Sequence, residues 1–119
     1  MDTWIENVLN RCNENAERFG RGGDIARDEW SRVVRVTKRS HSENRGGVRY
    51  LYSDIDAVLD DGTTRSITQV GPYKYLCRRG EVSQKEKELN RNARDAEAKD
   101  WQQRFTEFFK SQKSPATVV

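Results

Sequence analysis

The run VRYLYSDIDAVLDDGTTRSITQV (48–70) decides the fold. In its first half Leu51, Ile55, Ala57 and Leu59 share one face, and Tyr50, Tyr52, Asp54 and Asp56 share the other. That is the two-residue period of a strand, and it predicts a strand over 48–60. Asp61-Gly62 is a two-residue hairpin signal, and TTRSITQV (63–70) reads as the return strand. A two-residue turn there sets Ile55 against Thr68, Ala57 against Ser66 and Leu59 against Thr64, with Val58 against Arg65 on the other face.

Working outward, WSRVVRVTK (30–38) reads as the first strand, with Trp30, Val34 and Val36 on one face and Val33, Arg35 and Thr37 on the other. RSHSENRGG (39–47) reads as a polar, mobile loop. GPYKYLCRRG (71–80) reads as a turn followed by a short edge strand or one helical turn, bringing Tyr73 and Tyr75 beside Lys74, Arg78 and Arg79. The ends are helical. Over 3–19, Ile5, Val8, Leu9, Cys12, Ala16 and Phe19 follow one face of a 3.6-residue period. Thr3 with Glu6 opens that helix as a capping box, and Gly20 closes it. A long helix is expected from about 83 to near Lys110, with Ser83 and Glu86 as a second capping box. Leu89, Ala93 and Ala96 form a thin stripe on it, and Trp101, Phe105 and Phe108 a heavier one. Arg91–Asp95, Asp95–Lys99 and Asp100–Arg104 are spaced to pair along its exposed side.

The expected architecture is therefore α+β: an N-terminal helix, a three- to four-stranded antiparallel sheet and a long C-terminal helix, with one sheet face covered and the other free. Residues 1–110 form a single domain and 111–119 a flexible C-terminal tail. Only 34% of the residues are hydrophobic. Small domains bury a limited share of their surface, so a homodimer is expected to supply further burial.

Charge is unevenly distributed. Residues 1–30 carry four Lys/Arg against seven Asp/Glu, 31–79 carry ten against five, and 80–119 carry eight against seven. The excess positive charge thus falls on the predicted strands, the footprint of a polyanion partner. Arginine outnumbers lysine 15 to 7, which suits bidentate phosphate contacts. Arg32, Arg35, Lys38, Arg39, Arg49 and Arg65 are the candidate phosphate contacts, and Thr37, Thr64, Ser66 and Thr68 add hydroxyls. Such donors fit the shallow minor groove of an RNA duplex, which is read by shape. The bland alternative is an ordinary solvated sheet face. Trp4 and Trp30 are candidates for stacking on a terminal or unpaired base, or else core or interface residues. Trp101, Phe105 and Phe108 read as core.

Catalysis finds little support. His41 stands in a charged stretch without a triad or metal spacing and reads as a surface residue. Asp54, Asp56, Asp60 and Asp61 could suggest a metal-dependent nuclease, but Asp60-Asp61 is better explained by the turn. GRGGD (20–24) lacks the Lys-Ser/Thr ending of a phosphate-binding loop and follows a helix. Cys12 and Cys77 make neither a zinc site nor a disulfide framework and point to reduced thiols. No apolar run approaches the ~20 residues that span a bilayer. No enzyme, cofactor, metal or membrane partner is expected. Thr117-Val118-Val119 matches a C-terminal peptide for strand addition only at the level of chance.

DEWSRVVRVTKRS (28–40), with its Trp before a Val-Val pair flanked by Lys and Arg, resembles the first strand region of the small RNA-silencing suppressors of tombusvirus-family plant viruses. DDGTTRSITQV…YLCRRGEVSQKEKEL resembles the hairpin of that family, which leads past Leu-Cys into a Lys-rich helix. The resemblance covers about half of the chain. It implies a homodimer whose continuous sheet cradles double-stranded RNA in the host cytoplasm, small interfering duplexes included, and withholds it from the silencing machinery. Carried over by position, Arg35, Lys38 and Arg65 would touch phosphates, with Thr64 and Ser66 near 2′-hydroxyls. The end-capping tryptophans of the family have no clear counterpart, so binding to longer duplexes is compatible. Two other readings stand beside it. One is a protein–protein adaptor or inhibitor that uses the long charged helix. The other is a DNA-binding regulator that uses the Lys85–Lys99 stretch.

Overall fold

The computed structural model describes residues 3–77 and 83–113. It is the expected α+β fold: helix α1 (Thr3–Arg18), a 3-10 turn (Arg27–Arg32), strands β1 (Val33–Arg45), β2 (Val48–Leu59) and β3 (Thr64–Cys77), and helix α2 (Gln84–Lys113). The strands form one antiparallel meander with β2 in the middle.

The segment 39–47 is not a loop. β1 continues to Arg45 and stays paired with β2 throughout, Arg45 opposite Val48. The turn is Gly46-Gly47, both at positive φ (57° and 83°), as the favoured two-residue hairpin turn requires. The distal half of β1 is largely exposed on both sides, so it has no apolar alternation to betray it.

The second turn is one residue longer than the two-residue reading. Leu59 donates its amide to Thr63 O (2.8 Å) and Gly62 donates to Leu59 O (3.0 Å), with Gly62 at φ 86°. Asp60, Asp61 and Gly62 thus form a three-residue loop whose last residue is left-handed, a common hairpin connection. Pairing slips by one as a result: Ala57 faces Arg65 and Val58 faces Thr64, and a bulge between Ile55 and Asp56 restores the Ile55–Thr68 pair. Arg65 is thereby turned to the core side of the sheet.

Trp30 does not begin a strand. It lies in the 3-10 turn, which the buried Glu29 carboxylate fastens by accepting the Ala26 amide (3.0 Å). β1 begins at Val33, and a bulge between Val33 and Arg35 leaves Val34 unpaired. Val33 and Val36 are both buried, and Val34 is exposed. β3 runs unbroken through Gly71-Pro72 to Cys77, which resolves 71–77 as strand. Arg78 and Arg79 lie outside the described residues.

α1 buries Ile5, Val8, Leu9, Cys12 and Ala16, but Phe19 falls beyond the helix end and is exposed. The Cys12 thiol donates to Ile67 O (2.9 Å). Burial, reinforced by Asp24 and opposed by Arg11, pushes its pKa up to about 11, so it stays protonated. On α2, the Ser83 hydroxyl accepts the Glu86 amide (3.1 Å) as expected of a cap. Arg94, Ala98, Phe105 and Phe109 are buried, whereas Leu89, Ala93 and Ala96 point away from the core. Asp100 pairs with Arg104 (3.6 Å), and Asp95 takes Arg94 (2.9 Å). The helix reaches Lys113, so residues 111–113 of the expected tail are helical; residues 114–119 lie outside the described residues.

The helices and the 3-10 turn share one core with Val33, Val36, Ile55, Ala57, Leu59 and Val70. They cover one sheet face and leave the other open. No described helix is long and apolar enough to cross a membrane.

The second turn carries an acid-sensitive element. Asp61 accepts the Thr63 hydroxyl (2.6 Å) and amide (3.0 Å) and pairs with Arg32 (3.0 Å). These bonds, the hydroxyl first, hold its carboxyl down to about 2 from the ordinary 3.8. A depressed carboxyl stabilises the fold above its unfolded pKa and loses that contribution as pH falls through the folded value. Wild-type urea midpoints should therefore decline between about pH 4 and pH 2 more steeply than those of Asp61→Asn. Parallel curves for the two proteins would contradict the turn geometry.

Candidate nucleic-acid interface

Cross-strand pairing fixes what the open face displays. Arg35, Thr37, Arg39, His41, Glu43 and Arg45 lie along β1, opposite Val58, Asp56, Asp54, Tyr52, Tyr50 and Val48 of β2. Thr64, Ser66, Gln69 and Lys74 of β3 pair with Val58, Asp56, Asp54 and Tyr50. Thirteen residues of β1 at ~3.3 Å each make the face about 40 Å long.

The sequence candidates divide between the two faces. Arg35, Arg39, Thr64 and Ser66 reach the open one, whereas Thr68 pairs with the buried Ile55 and borders the central cleft beside Ser66 and Gln69. Lys38 pairs with Ile55 and Arg49 with Asn44, which places both on the helix side of the hairpin, at its uncovered edge and end. Arg32 is held at the second turn by Asp60 and Asp61, each at 3.0 Å. Arg65 lies on the core side and donates Nε to the Glu29 carboxylate at 3.0 Å, with Glu29 only 2% exposed and Arg21 at 3.8 Å completing the group. A side chain so engaged supports the fold.

The tryptophans belong to the helix layer. Trp4 packs on Trp101 (centroids 4.5 Å apart) and Phe105 (5.6 Å), with the Arg104 guanidinium 4.9 Å from its ring. Trp30 is buried edge-on against Phe108 (5.7 Å), with Arg27 4.8 Å over it. Both indoles thus sit across the sheet from the open face, which leaves that face to act through backbone-type contacts.

Two features of the open face went unread in the sequence. First, it carries its own anions. Arg39 lies 3.2 Å from Asp54 and 4.0 Å from Asp56, and both carboxylates are largely buried, whereas Arg39 is 72% exposed. With Asp24, Ser66, Ile67, Thr68 and Gln69 they line a cleft of about 330 Å³. Asp24 gets there because the connector after α1 makes a parallel bridge with Ser66. Burial pushes the Asp56 carboxyl up, Arg39 opposes this, and Asp54 adds to it. Second, His41 is part of a side-chain stack. Its ring lies parallel to Tyr52 (7°, 5.0 Å), with Arg45 5.9 Å from the tyrosine. His41 Nδ1 is 2.9 Å from Asp54 Oδ2 but off the hydrogen-bonding direction, and Asp54 Oδ1 is buried without a partner. Arg45 in turn pairs with Glu43 (2.7 Å) and holds that carboxyl below its usual range.

The face therefore presents guanidiniums along one edge and hydroxyls along the other, with carboxylates between. No cluster of His, Cys, Asp and Glu among the described residues has the geometry to hold a metal ion. No protein-family profile, curated protein or solved structure matches this chain.

Proposed function

We propose that this chain binds double-stranded RNA across the open sheet face and acts by sequestering it, as a viral suppressor of RNA silencing in the host cytoplasm. The observation that carries the reading is the packing of all the described helical elements on one side of the meander. This leaves a face about 40 Å long with Arg35, Arg39 and Arg45 along β1 and Thr64 and Ser66 along β3. Guanidiniums and hydroxyls on a broad, shallow surface suit the phosphates and 2′-hydroxyls of an A-form duplex, which is recognised by shape. A homodimer belongs to the same proposal, and sedimentation velocity tests it.

The test is an anisotropy titration at two salt concentrations with a short RNA duplex, a long RNA duplex, single-stranded RNA and a DNA duplex. RNA duplexes should bind best, and binding should weaken steeply with salt. Arg35→Ala should weaken every RNA duplex alike and reduce the log–log salt slope by about 1. Failure of all four probes to bind would end this reading. A protein–protein adaptor then becomes the better one, because Leu89, Ala93 and Ala96 are exposed along the outer side of α2. In that case Leu89→Glu should abolish capture of the partner.

A further inference from the structure

Arg39 is the most exposed cation on the open face that also touches carboxylates there. Its guanidinium cannot serve a phosphate and the Asp54–Asp56 pair equally. Moving it outward leaves two adjacent, mostly buried carboxylates (13% and 12% exposed) without their neutralising charge. Like charges so placed resist joint ionisation. We propose that the Asp54–Asp56 pair acts as a counter-anion that Arg39 leaves when it engages a phosphate, and that the pair takes up a solvent proton in exchange, so that duplex RNA binds more tightly as pH falls.

The surroundings permit this exchange. On β1, Thr37 faces Asp56, Arg39 faces Asp54, and Arg35 stands opposite Val58, the next pair on the same face, while His41, opposite Tyr52, sets its Nδ1 2.9 Å from Asp54. Glu43 lies beyond His41, at 3.5 Å from its Nε2. β3 contributes the uncharged Ser66, Thr68 and Gln69, and the connector contributes Asp24, another anion. Arg39 is thus the cation in ion-pair contact with Asp56. Asp54 also keeps one oxygen buried and unbonded, so a proton on Asp56 would relieve both its repulsion with Asp54 and its own desolvation. Asp56 is the acceptor, since burial already favours its neutral form.

The sign follows from linkage. A group whose pKa is higher in the complex than in the free protein binds a proton on association, so affinity rises as pH falls through the complex value and levels off below the free one. One proton changes affinity at most about tenfold per pH unit. The inference rests on the RNA-binding reading, and the experiment separates the two.

Dissociation constants for one RNA duplex would be measured at about pH 7.5 and about pH 5.5, at constant salt, for the wild type, Asp56→Asn and His41→Asn, with circular dichroism confirming the fold. The wild type should bind about tenfold more tightly at the lower pH. Asp56→Asn should bind at the higher pH nearly as tightly as the wild type does at the lower, and change little between them. His41→Asn should keep the wild-type dependence. Calorimetry of the wild type in two buffers of different ionisation enthalpy should show net proton uptake, a readout that needs no variant. Binding that ignores pH, or that loses its pH dependence only in His41→Asn, overturns the inference while leaving the RNA-binding reading intact. No binding at either pH overturns both.

Discussion

Replacing Phe105 with alanine should lower the free energy of unfolding by about 4 kcal/mol. The ring is fully buried, packs 5.6 Å from Trp4, and belongs to the cluster that joins α1, α2 and the sheet. Truncation removes its transfer free energy and leaves a cavity that Trp4, Trp101 and Ala98 cannot fill without moving whole helices. Domains of this size are typically stable by only about 5–15 kcal/mol, so a thin core makes one ring a large part of the total. Urea titration followed by tryptophan fluorescence is the natural measurement, because Trp4 and Trp101 lie beside the cavity. Phe105→Leu, which keeps most of the volume, should cost less than about 1.5 kcal/mol. A loss below about 1 kcal/mol for the alanine variant would mean that α2 does not dock as described.

Arg65→Ala should cost about 3 kcal/mol and leave RNA recognition unchanged in the folded fraction. Removing one partner of a buried ion pair strands the other, and Glu29 is almost wholly enclosed. The Ala26 amide at 3.0 Å and Arg21 at 3.8 Å soften the loss, as does the partial exposure of Arg65 itself. Replacing both partners with methionine should recover much of the stability, since apolar substitutes of similar volume avoid desolvating charge. Urea titration reads the stability, and anisotropy at low temperature reads the binding. Weakened RNA affinity in fully folded Arg65→Ala, with stability intact, would place this side chain on the ligand as the family resemblance implies.

The contrast between these residues shows what a single sequence discloses. The core stripe of α1 was legible because burial on one face imprints a period on the residue order. That of β2 was legible because its aliphatic residues fall mostly on the helix side, even though Tyr52, Asp56 and Val58 are buried on the other. Ile55, Ala57 and Leu59 could hardly be arranged otherwise. The distal half of β1 was illegible for the opposite reason: Ser40, His41, Ser42 and Asn44 bury little, so only the ladder holds them. The Gly46-Gly47 dipeptide was the available clue. Read as a two-residue turn, it sets Arg39 opposite Asp54 and exposes the shielded guanidinium. The role of Arg65 hung on a single residue, since counting Asp60 into the turn reverses the face on which it lies. Its pairing with Glu29, 36 positions away, has no local signal at all. Trp30 was misplaced because two valines after a tryptophan favour a strand, whereas a buried carboxylate one residue earlier winds the chain into a turn.

The stacking of Trp4 on Trp101 has a consequence for how the molecule is made. Helix α1 completes its contacts only against α2, whose Trp101 is synthesised about 100 residues after Trp4. At ribosomal speeds of about 5–20 residues per second, that interval is roughly 5–20 s. Throughout it Ile5, Val8 and Leu9 have no finished core to enter, while the two sheet hairpins, closed by local turns, can already form. The nascent chain therefore offers an apolar helix to chaperones and proteases until α2 emerges.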